Sequence, residues 1–294
     1  EMNIRDWSSD VCSSDLVAKD AAAGGDHWWR FFQAEYRMNH AISRFPKPYI
    51  SWLDGITMGG GFGISAHGGY RVATPKTLFA MPETGLGLIP DVGGGHFLPR
   101  CPGRLGLYLA LTGYRCDAAD SLYCGYATHH LPSEAFGAVL DELAHGRDGV
   151  DAVLARHASE TKAAALADHR AQIDTAFNAD SVSAILMALD RAGDDWSAAQ
   201  AKTLRRMSPT SLAVSFEQLR RGANLPALAD VLAMEFRIVC NIITRANDFQ
   251  EGVRALLIDK DKSPAWSPAS VSELTPERVS AFFEPATPGD LALD

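Results

Sequence analysis

The chain has 294 residues, enough for one large domain or two small ones, and its 47% hydrophobic and 21% charged residues are ordinary for a soluble globular protein. Its formal net charge of −9 argues against a duplex nucleic-acid partner, because phosphate binding needs a basic field; an anionic ligand needs a local basic pocket instead. No apolar run approaches the ~18 residues that a membrane span requires, and the five scattered cysteines (Cys12, Cys101, Cys116, Cys124, Cys240) lack CxxC or zinc spacing and read as reduced thiols of a cytosolic or matrix protein.

In chain order, Asp6–Leu16 reads DWSSDVCSSDL. It has no apolar h-region, so it is not a signal peptide. It back-translates codon by codon to a common short-read sequencing adapter. Residues 1–16 are therefore read as artefactual, with Cys12 carrying no chemistry, and the natural sequence is expected to begin near Val17, inside a longer gene. The expected compartment is the bacterial cytoplasm, or the mitochondrial matrix if the gene's own N-terminus carries a transit peptide.

Asp26–Phe45 places Phe31, Tyr36, Met38 and Ile42 at helical spacing and ends before Pro46. Its opening cluster, Trp28-Trp29-Phe31-Phe32, is read mainly as core packing. Tyr49–Leu53 is a short buried strand. Gly55–Gly63 is a glycine-rich turn, and a helix is expected to start at Ile64-Ser65-Ala66. Tyr70–Ala73 and Thr77–Ala80 read as further strands, and Pro82–Gly95 as a Gly/Pro-rich loop too irregular for either period. From Leu105 the pattern is helical almost to the end, most clearly at Val182–Ala192, Ser211–Leu219 and Leu228–Ile243. The order implies an α/β core over residues 17–130 and a helical C-terminal region over 131–294.

Two stretches carry candidate chemistry. Asp54-Gly55-Ile56-Thr57-Met58-Gly59-Gly60-Gly61 runs from a strand into a helix. Glycines let backbone approach a ligand closely, and the first N–H groups of a helix point outward unpaired, with partial positive charge. An oxygen on which negative charge develops is stabilised there. The alternative reading is a tight strand–helix turn and nothing more. Neither a nicotinamide fingerprint nor a Walker A motif is present. The second stretch, Met81–Gly95, sets Glu83 and Asp91 eight residues apart in an apolar loop. Burial and like charge raise the pKa of at least one such acid, which suits acid/base work. The alternative is structural: Glu83 caps a turn and Asp91 holds the Gly93–Gly95 turn with its own side chain. His67, His96, His129 and His130 form no metal pattern, and His67 reads as a hydrogen-bonded structural histidine. The GxSxG elbow of serine hydrolases is absent.

Residues 47–65 (KPYISWLDGITMGGGFGIS) and 79–95 (FAMPETGLGLIPDVGGG) resemble the crotonase, or enoyl-CoA hydratase/isomerase, superfamily. With FLPRCPGRLGLYLALTG (97–113), GYATHHLPSE (125–134), MSPTS (207–211), MEFR (234–237), DFQEGVRALLIDKD (248–261) and SPAW (263–266), the chain resembles the 3-hydroxyisobutyryl-CoA hydrolase family from about residue 30 to 270. That resemblance implies a crotonase-like ββα spiral core, truncated at its N-terminus, and hydrolysis of a 3-hydroxyacyl-CoA thioester in valine breakdown. Coenzyme A is then part of the substrate, and no further cofactor is implied. Hydratases of the superfamily carry a second glutamate where this chain has Gly63, and tend to have glycine at the position of Asp91. The resemblance therefore implies that Glu83 attacks the carbonyl or activates water, that Asp91 positions substrate or moves a proton, that the Gly60 N–H forms half of an oxyanion hole, and that Glu35 contacts the acyl group. Ala23-Gly24-Gly25-Asp26 looks like the family's other oxyanion loop but lies only nine residues before Glu35, so it is read as a look-alike in a linker. Relatives commonly assemble through the helical C-terminal part, so a homo-oligomer is among the states implied. The competing expectations are an enoyl-CoA hydratase or isomerase and a non-catalytic crotonase-fold binding protein.

Overall fold

A computed structural model describes residues 13–287 and 289–293 of the chain. Residues 1–12 of the adapter-like segment, Cys12 among them, lie outside the described residues. Ser13–Ala22 form the first helix, α1, and His27–Ser43 form α2. The polypeptide then repeats a strand–strand–helix unit. Ile50–Leu53 (β1) and Ile56–Thr57 (β2) lead into Gly60–Ser65 (α3). Tyr70–Ala73 (β3) and Leu78–Phe79 (β4) lead into a 3₁₀ turn at Glu83–Leu86 and the short helix Gly94–Phe97 (α4). Each unit stacks on the last. β3 lies parallel to β1, with Ile50 opposite Tyr70 and Leu53 opposite Ala73, while β4 lies parallel to β2, with Ile56 opposite Leu78. A third short strand, His129–His130 (β5), continues the first stack beside β3. This is the α/β spiral expected of the chain.

The corner between β1 and β2 is tied to the next coil. Asp54 accepts from Thr74 Oγ1 (2.7 Å) and Lys76 Nζ (2.9 Å), and also from Ser133 Oγ. These three hydrogen bonds lower the Asp54 pKa to about 2. Inside the spiral, Phe62 of α3 stacks on Phe79 (5.6 Å between centroids) and on Tyr126 (5.5 Å), filling the space between coils.

Two expectations need correction. α3 begins at Gly60, four residues before the expected start at Ile64, because Gly59 adopts φ 52 and turns the chain directly into the helix. Glycine's low helix propensity hid that start, but Phe62 and Gly63 are buried and tertiary packing decides. Pro82–Gly95 is also not an irregular loop throughout: it holds the 3₁₀ turn and the start of α4. Beyond Leu105–Thr112 (α5) the elements of the described chain are all helices apart from β5. The helices at Val182–Ala192, Pro209–Gly222 and Leu228–Arg245 contain the three stretches with clear helical period. The last two pack on α4, and Leu228–Arg245 also packs on α2.

Candidate active site

The mouth of the spiral encloses a cavity of ≈ 440 Å³ whose walls include Glu35, Gly60, Glu83 and Asp91 together. Four residues spread over 57 positions of sequence thus share one chamber, and each arrives by a different route. Glu35 and Tyr36 project from α2. Gly60 is the first residue of α3, so its N–H has no acceptor within the helix. Glu83 opens the 3₁₀ turn, and Asp91 sits in the link to α4. The remaining walls are largely apolar, including Phe31, Phe32, Ile56, Met58, Leu86, Leu88 and Phe249. The aromatic cluster on α2 therefore divides its work. Trp28 and Phe32 are buried, in keeping with a cluster that is mainly core packing, whereas Phe31 is 38% exposed and, with Phe32, lines the cavity.

Glu83 and Asp91 are each only 5% exposed. Burial, and then the charge of Asp91, push the Glu83 carboxyl well above its usual range, and its Oε2 has no hydrogen-bond partner. Burial also lifts Asp91, to about 6, while the hydrogen bond from Tyr36 Oη to Asp91 Oδ2 (2.7 Å) pulls the other way. Glu35 is raised to about 8, first by burial and then by Asp91. Three acids with little water and raised pKa values titrate nearer neutrality than ordinary carboxyls, and so can both take and give protons. Glu35 also crowds Gly60: a Cβ on that glycine would stand 2.9 Å from Glu35 Oε1, so a side chain there would displace the acid.

The structural alternative for Asp91 does not describe the site. Asp91 does not hold the following turn with its own side chain. That turn is held by Glu235, whose Oε2 accepts from Gly93 N (2.8 Å) and Oε1 from Gly95 N (2.7 Å). The Glu83 turn is braced separately. Ser208 N donates to Thr84 O (3.0 Å), Ser208 Oγ donates to buried Asp248 Oδ2 (2.6 Å), and Gly87, at φ 77, has its Cα against the Asp248 carbonyl. His67 is a structural histidine, as expected: its Nε2 donates to Val92 O (2.8 Å), and burial lowers its pKa to about 4. Ala23–Asp26 form the turn between α1 and α2 and are not among the residues lining the cavity. Among the described residues no group of three or more His, Cys, Asp or Glu is arranged to hold a metal ion.

Tyr36, Glu235 and Gln218 escaped the sequence reading as individual site residues. Glu235 did leave a signal: it falls among Val231, Leu232, Phe236 and Val239 on the apolar face of a strongly amphipathic helix, and an acid there needs partners. Nothing local marks Tyr36 or Gln218, whose partners lie 55 and 128 positions away in sequence.

The spiral fold and its enclosed acids define a crotonase-type protein. The enoyl-CoA hydratase/isomerase family profile matches residues 11–283, and the chain belongs to that family. It is 44% identical over 284 residues to a mitochondrial 3-hydroxyisobutyryl-CoA hydrolase of Xenopus tropicalis, covering 93% of this chain and 73% of the relative. The mitochondrial 3-hydroxyisobutyryl-CoA hydrolase of Homo sapiens is 43% identical over 270 residues (89% and 69%). Among solved structures, a carnitinyl-CoA dehydratase from Mycobacterium thermoresistibile superposes with a TM-score of 0.89 at 41% identity, covering 96% of this chain and 80% of that one. An enoyl-CoA hydratase from Rhodobacter sphaeroides 2.4.1 superposes at 0.87 with 33% identity (97% and 81%).

Proposed function

We propose that the protein is a thioester hydrolase that cleaves 3-hydroxyisobutyryl-CoA to 3-hydroxyisobutyrate and coenzyme A, a step of valine catabolism. Its substrate is an acyl-CoA thioester. The observation that carries this reading is the convergence of Glu83 and Asp91 on the cavity that Gly60 opens into. In the proposed reaction Glu83, whose raised pKa makes it a stronger base than an ordinary carboxylate once ionised, takes a proton from water as the water oxygen adds to the thioester carbonyl carbon. The negative charge on the carbonyl oxygen is held by the Gly60 N–H. The C–S bond then breaks, and Asp91 passes that proton from Glu83 to the sulfur as the thiol leaves. Glu35 faces the acyl chain from α2, placed to bond its hydroxyl. We assign these roles from position and chemistry. The step exchanges no electrons, so it calls for no redox cofactor.

Dehydration or hydration is the reading favoured by the names of the two structural relatives. The packing around Gly63 argues against it. A Cβ there would lie 2.8 Å from Asn39 Nδ2 and 3.1 Å from Val92 Cβ, so the volume that a second glutamate needs is filled. The four described cysteines are free and buried, which fits a reducing compartment, either the bacterial cytoplasm or the mitochondrial matrix. Among the described residues no helix is long and apolar enough to cross a membrane.

The deciding experiment offers the purified protein 3-hydroxyisobutyryl-CoA and crotonyl-CoA in parallel. Release of free thiol from the first, with no comparable loss of the crotonyl double bond, is expected. Water addition to crotonyl-CoA at a rate matching or exceeding thiol release overturns the hydrolase reading.

A further inference from the structure

Asp91 sits on a backbone that its own segment does not stabilise. Val92, the next residue, has φ 48, a region that β-branched side chains avoid, and Gly93 follows at φ 90. Two successive left-handed residues persist only where the surroundings impose them.

The surroundings are one buried cluster. Gln218 Nε2, from the helix Pro209–Gly222, donates to Pro90 O (2.7 Å) and to Glu235 Oε1 (3.0 Å). Glu235, from the helix Leu228–Arg245, receives the N–H groups of Gly93 and Gly95 on opposite oxygens. The His67 imidazole donates to Val92 O from the other side. Every residue from Pro90 to Gly95 except Asp91 and Gly94 thus has a backbone group bonded to one of these three side chains. Gly95 has no room for a side chain, since a Cβ would stand 2.9 Å from Glu235 Oε1. Glu235 and Gln218 are fully buried and do not line the cavity, so they do not touch substrate.

We infer that Glu235, with Gln218, is a positioning residue for the reaction: it holds the strained Pro90–Gly95 segment so that the Asp91 carboxyl faces Tyr36 and the cavity. Its effect on rate rests on the hydrolase reading; its effect on Asp91 does not. A carboxylate suits the task because both of its oxygens accept; burial raises the Glu235 pKa to about 8, and the hydrogen bonds from Gly93, Gly95 and Gln218 pull it back. An amide in its place puts an NH₂ against Gly93 N–H in one orientation, or against Gly95 N–H and the Gln218 amide in the other. The titratable groups around Glu235 are Asp91, whose charge bears on it, Glu83 and Tyr36, which feel its charge, and neutral His67 beyond Gly93.

The test compares E235Q, E235D and Q218M with the wild-type protein, measuring thiol release and the titration of Asp91 by carboxyl-carbon NMR. In E235Q the freed segment admits water, so the Asp91 midpoint is expected to fall from about 6 toward the ordinary 3.8. kcat is expected to fall by about 10- to 100-fold with KM within about threefold, since a misplaced proton donor costs rate more than binding. E235D, which keeps a carboxylate on a shorter stem, should recover part of both readouts, and Q218M should lose less than E235Q. A folded E235Q with wild-type kcat and an unmoved Asp91 midpoint overturns the proposal. Should E235Q fail to fold, Q218M decides: a shift in the same direction supports the clamp, and an unchanged Asp91 midpoint overturns it. Should the wild-type protein release no thiol, the hydrolase reading fails by itself, and the Asp91 titration still decides the clamp.

Discussion

The two acid-bearing segments of the site are held in different ways. Glu83 rests on a 3₁₀ turn packed against the helix Asp248–Val253. Gly87 and Gly252 have no room for a side chain there, a Cβ on either falling 2.3 Å from a carbonyl oxygen of the opposite segment. Asp91, eight residues on, hangs in a left-handed link fixed largely by hydrogen bonds from three distant side chains. Close packing fixes position through many weak contacts and leaves few alternatives. A hydrogen-bonded link depends on a few groups, each of which matters. The first segment is thus built to be rigid, and the second to keep a specific orientation while remaining sensitive to its supports.

The largest expected effect comes from the packed side. Glu83→Gln keeps the shape of the turn and removes the acid. kcat for thiol release should drop by about 10²–10⁴-fold, the range for loss of a positioned proton-transfer group, with the melting temperature little changed, because the amide puts a polar group of the same shape in the buried place of the carboxyl. Asp91→Asn should cost less, because its neighbour Tyr36 can still donate to the amide oxygen. Equal losses in the two variants would break the comparison, since they would mean that the acids act as one inseparable unit.

Next in size is the pH dependence of stability. Glu35 and Asp91 have folded pKa values of about 8 and about 6, above their ordinary 4.5 and 3.8. An acid whose pKa is raised by folding supports the fold fully below its unfolded pKa, and that support is lost as pH climbs through the folded value. Folding stability, read by the denaturant midpoint, should therefore fall between roughly pH 4 and pH 8, by something on the order of several kcal/mol in total. Glu35→Gln should flatten the upper part of that decline, and Asp91→Asn the lower part. A midpoint that rises across this range would show that the acids are ionised without cost and that the cavity is wetter than its lining suggests.

How much of this was legible in the sequence follows the range of the interactions. The helix α2 and the long C-terminal helices announce themselves by period, because each buries a stripe of its own residues, and the strands β1 and β3 by short runs between turn residues. The acids stood out because Glu83 and Asp91 are charged in a loop of Gly, Pro and aliphatics. The start of α3 did not, because glycine carries no pattern and its helix is imposed by packing. The Tyr36–Asp91 bond and the Gln218–Glu235 clamp were invisible for a different reason. Each ties the Pro90–Gly95 segment to groups more than fifty positions away, and only the folded spiral brings them together.

The smallest expected effect tests whether the two supports are independent. Ser208→Ala removes the hydroxyl that links Asp248 to the Glu83 turn and also caps its own helix at Ser211 N (3.0 Å). Loss of one buried hydrogen bond and a helix cap costs about 1–3 kcal/mol of stability. The Glu83 turn retains its packing and its backbone bond from residue 208, so kcat should change by no more than about threefold, and the Asp91 titration should not move. The Ser208 and Gln218 contacts lie on different segments and share no partner, so the stability costs of Ser208→Ala and Gln218→Met should add within ~0.5 kcal/mol in the double variant, as measured by denaturant unfolding. A larger coupling would mean that the helix Pro209–Gly222, which Ser208 caps and Gln218 occupies, transmits strain from one acid segment to the other. In that case the site would be a single mechanical unit, and the separate roles of packing and of hydrogen bonding would collapse into one.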